Sequence, residues 1–306
     1  DEFQYWPSLV DHAIAVAAET EKPLVVCNSV AQAQNQKLAV RLLDAGVPLI
    51  NGCDAMLSAV RAALAYRDYR ANPARPAAER PSADLVRSWK DRLSRGEEFD
   101  EAASLSLISD FGIPVARGEV VESVAAAAEA ASRIGYPVAL KTAAPGIRHK
   151  SDVDGVRLDL KDEAALAAAY DDIAGRLGPR VIVEPMIGAG VELAFGMIQD
   201  PQFGPILMVG AGGKWIELLE DSVFAIPDFD EAYARRLIER LKISKLLHGS
   251  RDLAKADITA VARALSRFSA LVAALGDEVS EIDVNPIIVG PTGAVAVDAV
   301  VVPRRP

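Results

Sequence analysis

A lysine that closes an apolar strand can aim its ammonium at a phosphate, and Val138-Ala139-Leu140-Lys141 has that form. Taken alone, Lys141 suits equally well a surface lysine whose stem lies along apolar neighbours. A few residues on, Gly146-Ile147-Arg148-His149-Lys150-Ser151-Asp152-Val153-Asp154-Gly155 sets charges around a histidine between two glycines. Such a stretch reads as a loop. A neutral imidazole is a competent nucleophile at about pH 7 and can carry a phosphoryl group. A solvated loop histidine has the same local sequence, so His149 needs further context. His12 and His248 lack these surroundings and read as structural.

Met208-Val209-Gly210-Ala211-Gly212-Gly213-Lys214 follows an apolar run. Gly210, Gly212 and Gly213 would let backbone N–H groups come close to phosphate oxygens. The spacing matches neither the P-loop nor the dinucleotide fingerprint, and glycine-rich turns between strands are common. The end of the chain is more informative. In Glu281-Ile282-Asp283-Val284-Asn285-Pro286, strand alternation puts Asp283 and Asn285 on one face. If the turn Gly290-Pro291-Thr292-Gly293 is symmetric, residues 290 and 293 pair and Asn285 lies opposite Asp298. Three oxygen-bearing side chains then converge beside an apolar hairpin. Few protein oxygens plus substrate phosphates are what Mg²⁺ prefers. A polar rim facing solvent is the other reading.

These residues need strands and turns to hold them. Apolar runs predict strands at 138–141, 156–160, 181–187, 191–198, 206–209, 215–219, 279–289 and 294–302. Periodicity predicts helices ending at Gly112, from Ser123 as N-cap to Arg133, and at 162–177, 229–242 and 256–274. The first 70 residues alternate differently. Helices at 7–20, 31–44 and 54–69 flank short apolar strands at 23–27 and 48–50. Leu9, Val10, Ala13, Val16 and Ala17 mark one helix face, and Met56, Val60, Ala63 and Leu64 another. That pattern implies a parallel α/β sheet covered on both sides. About two strands are too few for a closed domain, so the expectation is a chain that begins inside one. Pro73, Pro76 and Pro81 make 71–96 a linker, with a polar helix at 83–95.

Composition excludes several classes. The net charge is −10, with 51% hydrophobic and 25% charged residues. A bulk acidic chain repels nucleic acid and anionic lipid. A nucleotide can still bind where a loop or metal offsets its charge. Cys27 and Cys53 are too few for a disulfide framework and, following apolar runs, read as buried free thiols. No apolar run approaches a membrane span, and the expected setting is cytoplasmic.

In this order, the pieces resemble the ATP-grasp part of NDP-forming (ADP-forming) acyl-CoA synthetases, the acetate–CoA ligase family related to succinyl-CoA synthetase. The matching stretches are Phe111-Gly112-Ile113-Pro114-Val115, Gly135-Tyr136-Pro137 through Lys141, His149-Lys150-Ser151-Asp152-Val153, Asp200-Pro201-Gln202-Phe203-Gly204-Pro205, Gly210–Gly213 and Glu281–Pro286. The resemblance covers about 97–303. It implies an ATP-grasp fold of two α+β subdomains at 97–306. More loosely, residues 1–70 look like the end of a flavodoxin-like CoA-ligase domain.

By that resemblance, Lys141 touches nucleotide phosphates and His149 is the phosphohistidine that passes phosphate to the nucleotide. Val183-Glu184-Pro185-Met186 is the hinge along the adenine edge, with Glu184 the polar contact. Glu192 lies near the ribose, and Asn285 and Asp298 hold Mg²⁺, Asp283 beside them. The implied ligands are ATP or ADP, Mg²⁺, a carboxylic acid and CoA. CoA would bind mainly to domains in a longer chain or partner subunit, within an oligomer; Phe3, Tyr5 and Trp6 would suit such a contact. Two departures stand out: Asp154-Gly155 replaces a Gly-Gly pair, and Ala225 stands where many members carry Arg. Two rival readings stay open: a ligase forming acyl phosphate directly, and a nucleotide- or acyl-CoA-sensing module in a larger regulatory protein.

Overall fold

The computed structural model describes residues 6–28, 36–71, 76–95, 99–144, 146–147, 150–213, 220–249 and 254–304. The chain divides into two units, 1–74 and 75–306.

In the first unit, α1 (Trp6–Glu19), β1 (Val26–Asn28), α2 (Gln36–Asp44), β2 (Leu49–Asn51) and α3 (Cys53–Ala71) follow in order. β1 and β2 run parallel, with Cys27 beside Ile50. The small core gathers Val10, Leu42 and Val47, with Ala13, Ile14 and Ala17 against them. The face expected for α1 is therefore only partly right: Leu9 and Val16 are exposed. No residue of α3 is buried. The cysteines also depart from expectation. Cys27 is half-buried, and Cys53 is exposed because it opens α3 just beyond the strand end.

The second unit opens earlier than composition suggests. Within the stretch read as linker, α4 (Ala83–Leu93) is capped by Ser82 and buries Trp89 and Leu93 in the main core. Trp89 donates through Nε1 to Asp110 at 3.0 Å. Proline fixed the reading too strongly here: Pro76 offers its carbonyl to Asp230 N–H, an ordered contact.

A four-stranded antiparallel sheet follows, in the order β3-β6-β4-β5. Its strands are β3 (Glu119–Val121), β4 (Val138–Thr142), β5 (Val156–Leu160) and β6 (Val181–Pro185). Two helices, α6 (Val124–Ile134) and α7 (Glu163–Leu177), cover one face. Val138, Leu140, Val181 and Val183 meet Ala127, Ala130, Leu166 and Ile173 there. Alternation turns Ala139, Lys141, Ile182 and Glu184 to the other face. Ser123 caps α6 as expected, accepting from Ala126 N–H.

The larger sheet is antiparallel, in the order β11-β10-β7-β8-β9, with β12 also on β10. Its strands are β7 (Val191–Asp200), β8 (Gly204–Ala211), β9 (Ser222–Ala225), β10 (Val279–Gly290), β11 (Gly293–Ala296) and β12 (Ala299–Pro303). Leu193, Phe195, Leu207, Val209 and Ile282 face α8 (Glu231–Glu239) and α10 (Ile258–Leu275), separated by the short α9 (Ser244–Leu247). Among the described residues α10 is long and apolar enough to span a membrane, but it is mostly buried as a core helix. α5 (Glu101–Asp110) adds Leu105, Leu107 and Ile108 to this core. The last predicted strand is two, β11 and β12, broken at Val297-Asp298. The candidate strand 215–219 lies outside the described residues.

Candidate functional site

The end of β4 brings Lys141 into the unit's interior, on the face of the small sheet away from its helices. Its ammonium meets three oxygens. It donates to Glu101 Oε1 at 3.0 Å and to the Val297 carbonyl at 2.8 Å, and lies 2.7 Å from Glu184 Oε2. Burial works against the charge, but Glu101, Glu184 and Asp298 outweigh it and hold Lys141 above its ordinary value.

Glu101 is the bridge in this cluster. Asp100 caps α5 by accepting from Ala103 N–H, and Glu101 follows in the first turn, where a helix favours negative charge. Arg180 fixes Asp100 at 3.0 Å, and the capping bond and Arg180 overcome burial to hold that carboxyl low. Glu101 Oε2 lies 3.1 Å from Lys150 Nζ, so its two oxygens serve two lysines. Burial raises the Glu101 pKa against the pull of Lys141, and Asp298 adds to the rise. Lys150 also donates to both oxygens of Asp298, at 3.1 and 3.0 Å.

Glu184 is fully buried, and Oε1 accepts no hydrogen bond among the described residues. Burial pushes its pKa up to about 7 despite Lys141. Gly118 makes room for it: a Cβ there would stand 2.5 Å from Glu184 Cγ and 2.7 Å from Ile182 Cγ1. One residue beyond β6, Met186 donates its N–H to Pro137 O at 3.4 Å, and its sulfur accepts from Asp159 N–H. Met186 therefore lies at the β5 edge, apart from the lysines.

On the large sheet the hairpin register is the one the turn implied. Gly290 pairs with Gly293 and Val284 with Ala299, and Asn285 N–H donates to Asp298 O at 3.1 Å. Asn285 Oδ1 accepts from Gly213 N–H at 3.0 Å, which ties the glycine turn to the hairpin. Gly212 N–H donates to Glu192 O at 2.9 Å, so half-buried Glu192 flanks the same turn. Gly212 must be glycine on steric grounds, since a Cβ would strike the Leu193 backbone. Gly210 faces Ala194 across β7 and β8.

Lys150, Ser151, Asp152, Asp283, Asn285 and Asp298 line a cleft of about 160 Å³. Asp283 also borders a broader, mostly apolar depression of about 430 Å³ beside Gly196, Met208 and Phe224. Among the described residues no three His, Cys, Asp or Glu side chains converge to hold a metal unaided. The oxygen set of Asn285 and Asp298 fits a hard cation that keeps water and phosphate ligands. The ammonium already seated on Asp298 shows that the position accepts positive charge. His149 lies outside the described residues, two positions from Ser151.

The structure thus brings together Lys141 with Glu184, and Asn285 with Asp298, Asp283, Gly213 and Glu192. Glu101 and Lys150 join them without having been singled out as site residues. Glu101 had one signal, an acidic residue just after a capping Asp, and nothing local marks it as buried.

Comparison with known proteins agrees with this architecture. Residues 92–302 match the model of an ATP-grasp domain family. The chain is 36% identical over 209 residues to the beta subunit of ADP-forming acetate–CoA ligase II of Pyrococcus furiosus, covering 65% of this chain and 89% of that subunit. It is 37% identical over 213 residues to ADP-forming acetate–CoA ligase I of Archaeoglobus fulgidus, covering 67% of this chain and 31% of that protein, so it spans under a third of that relative's length. A similar solved structure is a Ca. Korarchaeum cryptofilum acetyl-coenzyme A synthetase in complex with coenzyme A and Mg-AMPPCP, with its phosphohistidine segment pointing towards the nucleotide binding site. It shares 35% identity and a TM-score of 0.61 over 73% of this chain and 100% of that one. The chain belongs to the ATP-grasp family, and within it to the ADP-forming acyl-CoA synthetases that include the acetate–CoA ligases.

Proposed function

We propose that this chain is the nucleotide-binding portion of an ADP-forming acyl-CoA synthetase, coupling phosphoryl exchange with ATP or ADP, through phosphohistidine, to formation of an acyl-CoA from a carboxylic acid and CoA. The observation that carries this reading is the buried pair Lys141 and Lys150, set beside the oxygen donors Asn285 and Asp298. Phosphoryl transfer asks for positioning and charge neutralisation more than covalent chemistry. Lys141 supplies a fixed positive charge. The N–H groups of Gly212 and Gly213 are taken by Glu192 O and Asn285 Oδ1, so this turn positions Asn285 instead of offering the free backbone donors its glycines suggested. Asn285 and Asp298 would hold Mg²⁺, whose chemistry here is to neutralise phosphate oxygens.

Glu184 Oε1, buried and without a donor, suits the exocyclic amino group of adenine. Glu192, beside the turn, would contact a ribose hydroxyl. His149 would accept the phosphoryl group from the acyl phosphate side and pass it to the nucleotide. The first unit, with its parallel β1 and β2, would close a flavodoxin-like CoA-ligase domain. The remaining CoA-binding parts lie in the same longer chain or in a partner subunit, as a separate beta subunit among the relatives suggests.

The test is incubation with γ-labelled ATP and Mg²⁺, with the CoA-binding domains present, and assay for acid-labile, base-stable label on this chain. Label lost in His149→Ala supports the reading. Label retained in that variant, or tight nucleotide binding with no label at all, sinks it.

A further inference from the structure

We infer that Lys150 is a built-in competitor of the divalent cation: its ammonium holds Asp298 until metal arrives, and metal binding releases the segment that Lys150 anchors. The inference rests on the metal reading of Asn285 and Asp298 given above. Lys150 is itself buried, and its side chain spans two carboxylates from different elements. Glu101 comes from the first turn of α5 and Asp298 from the gap between β11 and β12. Both Asp298 oxygens are engaged at 3.0–3.1 Å, so the ammonium occupies the carboxylate as a cation would.

Two cations cannot share that carboxylate at close range without strong repulsion. Lys150 can give way without losing all pairing, because Glu101 Oε2 remains 3.1 Å from it. The backbone carries the consequence. Lys150 O accepts from Gly155 N–H at 2.8 Å, and Gly155 O accepts from Thr142 N–H at 2.8 Å. Lys150 thereby pins a turn to the end of β4, next to Lys141. Withdrawal of Lys150 from Asp298 loosens that turn, whose first residue directly follows His149 in the chain. Metal loading and loosening of the 150–155 turn then become linked, and by thermodynamic reciprocity each promotes the other.

The competition is tested without nucleotide or turnover. Mn²⁺ binding to the full chain is measured by the electron paramagnetic resonance signal of the free ion, in wild type, Lys150→Met, Lys150→Arg and Asp298→Asn. If the ammonium holds Asp298 about nine-tenths of the time, Lys150→Met binds Mn²⁺ about tenfold tighter. Lys150→Arg, which keeps the charge, stays near wild type. Equal affinity in wild type and Lys150→Met, with binding lost in Asp298→Asn, overturns the competition and leaves the metal site standing. Mn²⁺ binding unaffected by Asp298→Asn, or absent throughout, overturns both. Amide exchange gives an answer that does not depend on the variants folding. Saturating Mn²⁺ should speed exchange at Gly155 in the wild-type chain, and unchanged exchange under bound metal refutes the release.

Discussion

Pro286 faces Val297 across the hairpin and returns only half of the usual hydrogen-bond pair. Val297 N–H donates to Pro286 O at 3.0 Å, but proline has no N–H to give back. The Val297 carbonyl is left for Lys141, which takes it at 2.8 Å. A proline on one subdomain's hairpin therefore creates a docking point for a lysine on the other subdomain's sheet. With Glu101 Oε1 it gives the ammonium two hydrogen-bond acceptors, and Glu184 Oε2 at 2.7 Å completes the surround as an ion-pair partner.

That surround predicts that charge alone cannot replace Lys141. Lys141→Arg, planar and larger, should weaken nucleotide binding at least about tenfold, close to the effect of Lys141→Met. Lys141→Met should lose roughly 3 kcal/mol of stability, since buried carboxylates lose a partner, and the larger arginine about 2 kcal/mol through overpacking. Calorimetric titration with ADP and urea unfolding would measure this; an arginine variant with wild-type affinity would refute it.

Glu184 should make the domain less stable as pH rises towards neutrality. Its folded pKa of about 7 lies above the ordinary value of 4.5. Between those values the native state holds more protons than the unfolded chain. The contribution is thus full below 4.5 and is lost as pH climbs through about 7. Glu184→Gln should flatten the pH dependence of the urea midpoint over that window. Glu101, raised in the same direction, will leave a residual slope. An unaltered slope in the variant would show that Glu184 is not the group responsible.

The room that Gly118 gives Glu184 is open to a steric test. Gly118→Ala forces a methyl against the side chains of Glu184 and Ile182. A loss of about 2 kcal/mol is expected, with weaker nucleotide binding as Glu184 is displaced. Gly188 has open space around its added Cβ, so Gly188→Ala is the control and should stay near wild type. Equal stabilities for the two variants would count against the packing described.

The buried Trp89 and Leu93 place α4 inside the second unit's fold. A chain starting at residue 75 should unfold cooperatively. One starting at residue 97 should be weaker by roughly 4 kcal/mol or more, the worth of two large buried side chains. Comparison of their thermal transitions decides the matter.

The sequence was most legible where geometry is local. The turn at Pro291-Thr292 alone set the register that opposes Asn285 and Asp298, because strand pairing counts outward from a turn. β5 fell where its apolar alternation put it. Long-range pairings were hidden. Nothing near Glu101 announces Lys141, forty positions away, or Lys150. Lys150 looked like one charge among several in a loop. β3 and β9 are illegible because strands of three and four residues offer almost no period, and unlike the runs at β1 and β2 theirs open on a polar residue. The stretch with Pro76 and Pro81 looked like linker because proline signals a break in regular structure without saying whether the irregular chain is ordered.

The two sheets of the second unit have separate apolar cores, with no residue in common among those described. Much of what crosses between them is ionic: Lys141 and Lys150 on one side, Glu101, Asp298 and the Val297 carbonyl on the other. Ala139 and Ile182 are also buried on the Lys141 face, so parting this seam would wet charges along with some apolar surface. Its ionic share would answer less to cooling, and would add less heat capacity on parting, than an all-apolar interface of the same size. Because Lys141, Lys150 and Glu101 are themselves buried, added salt screens these pairs far less than it would a surface ion pair.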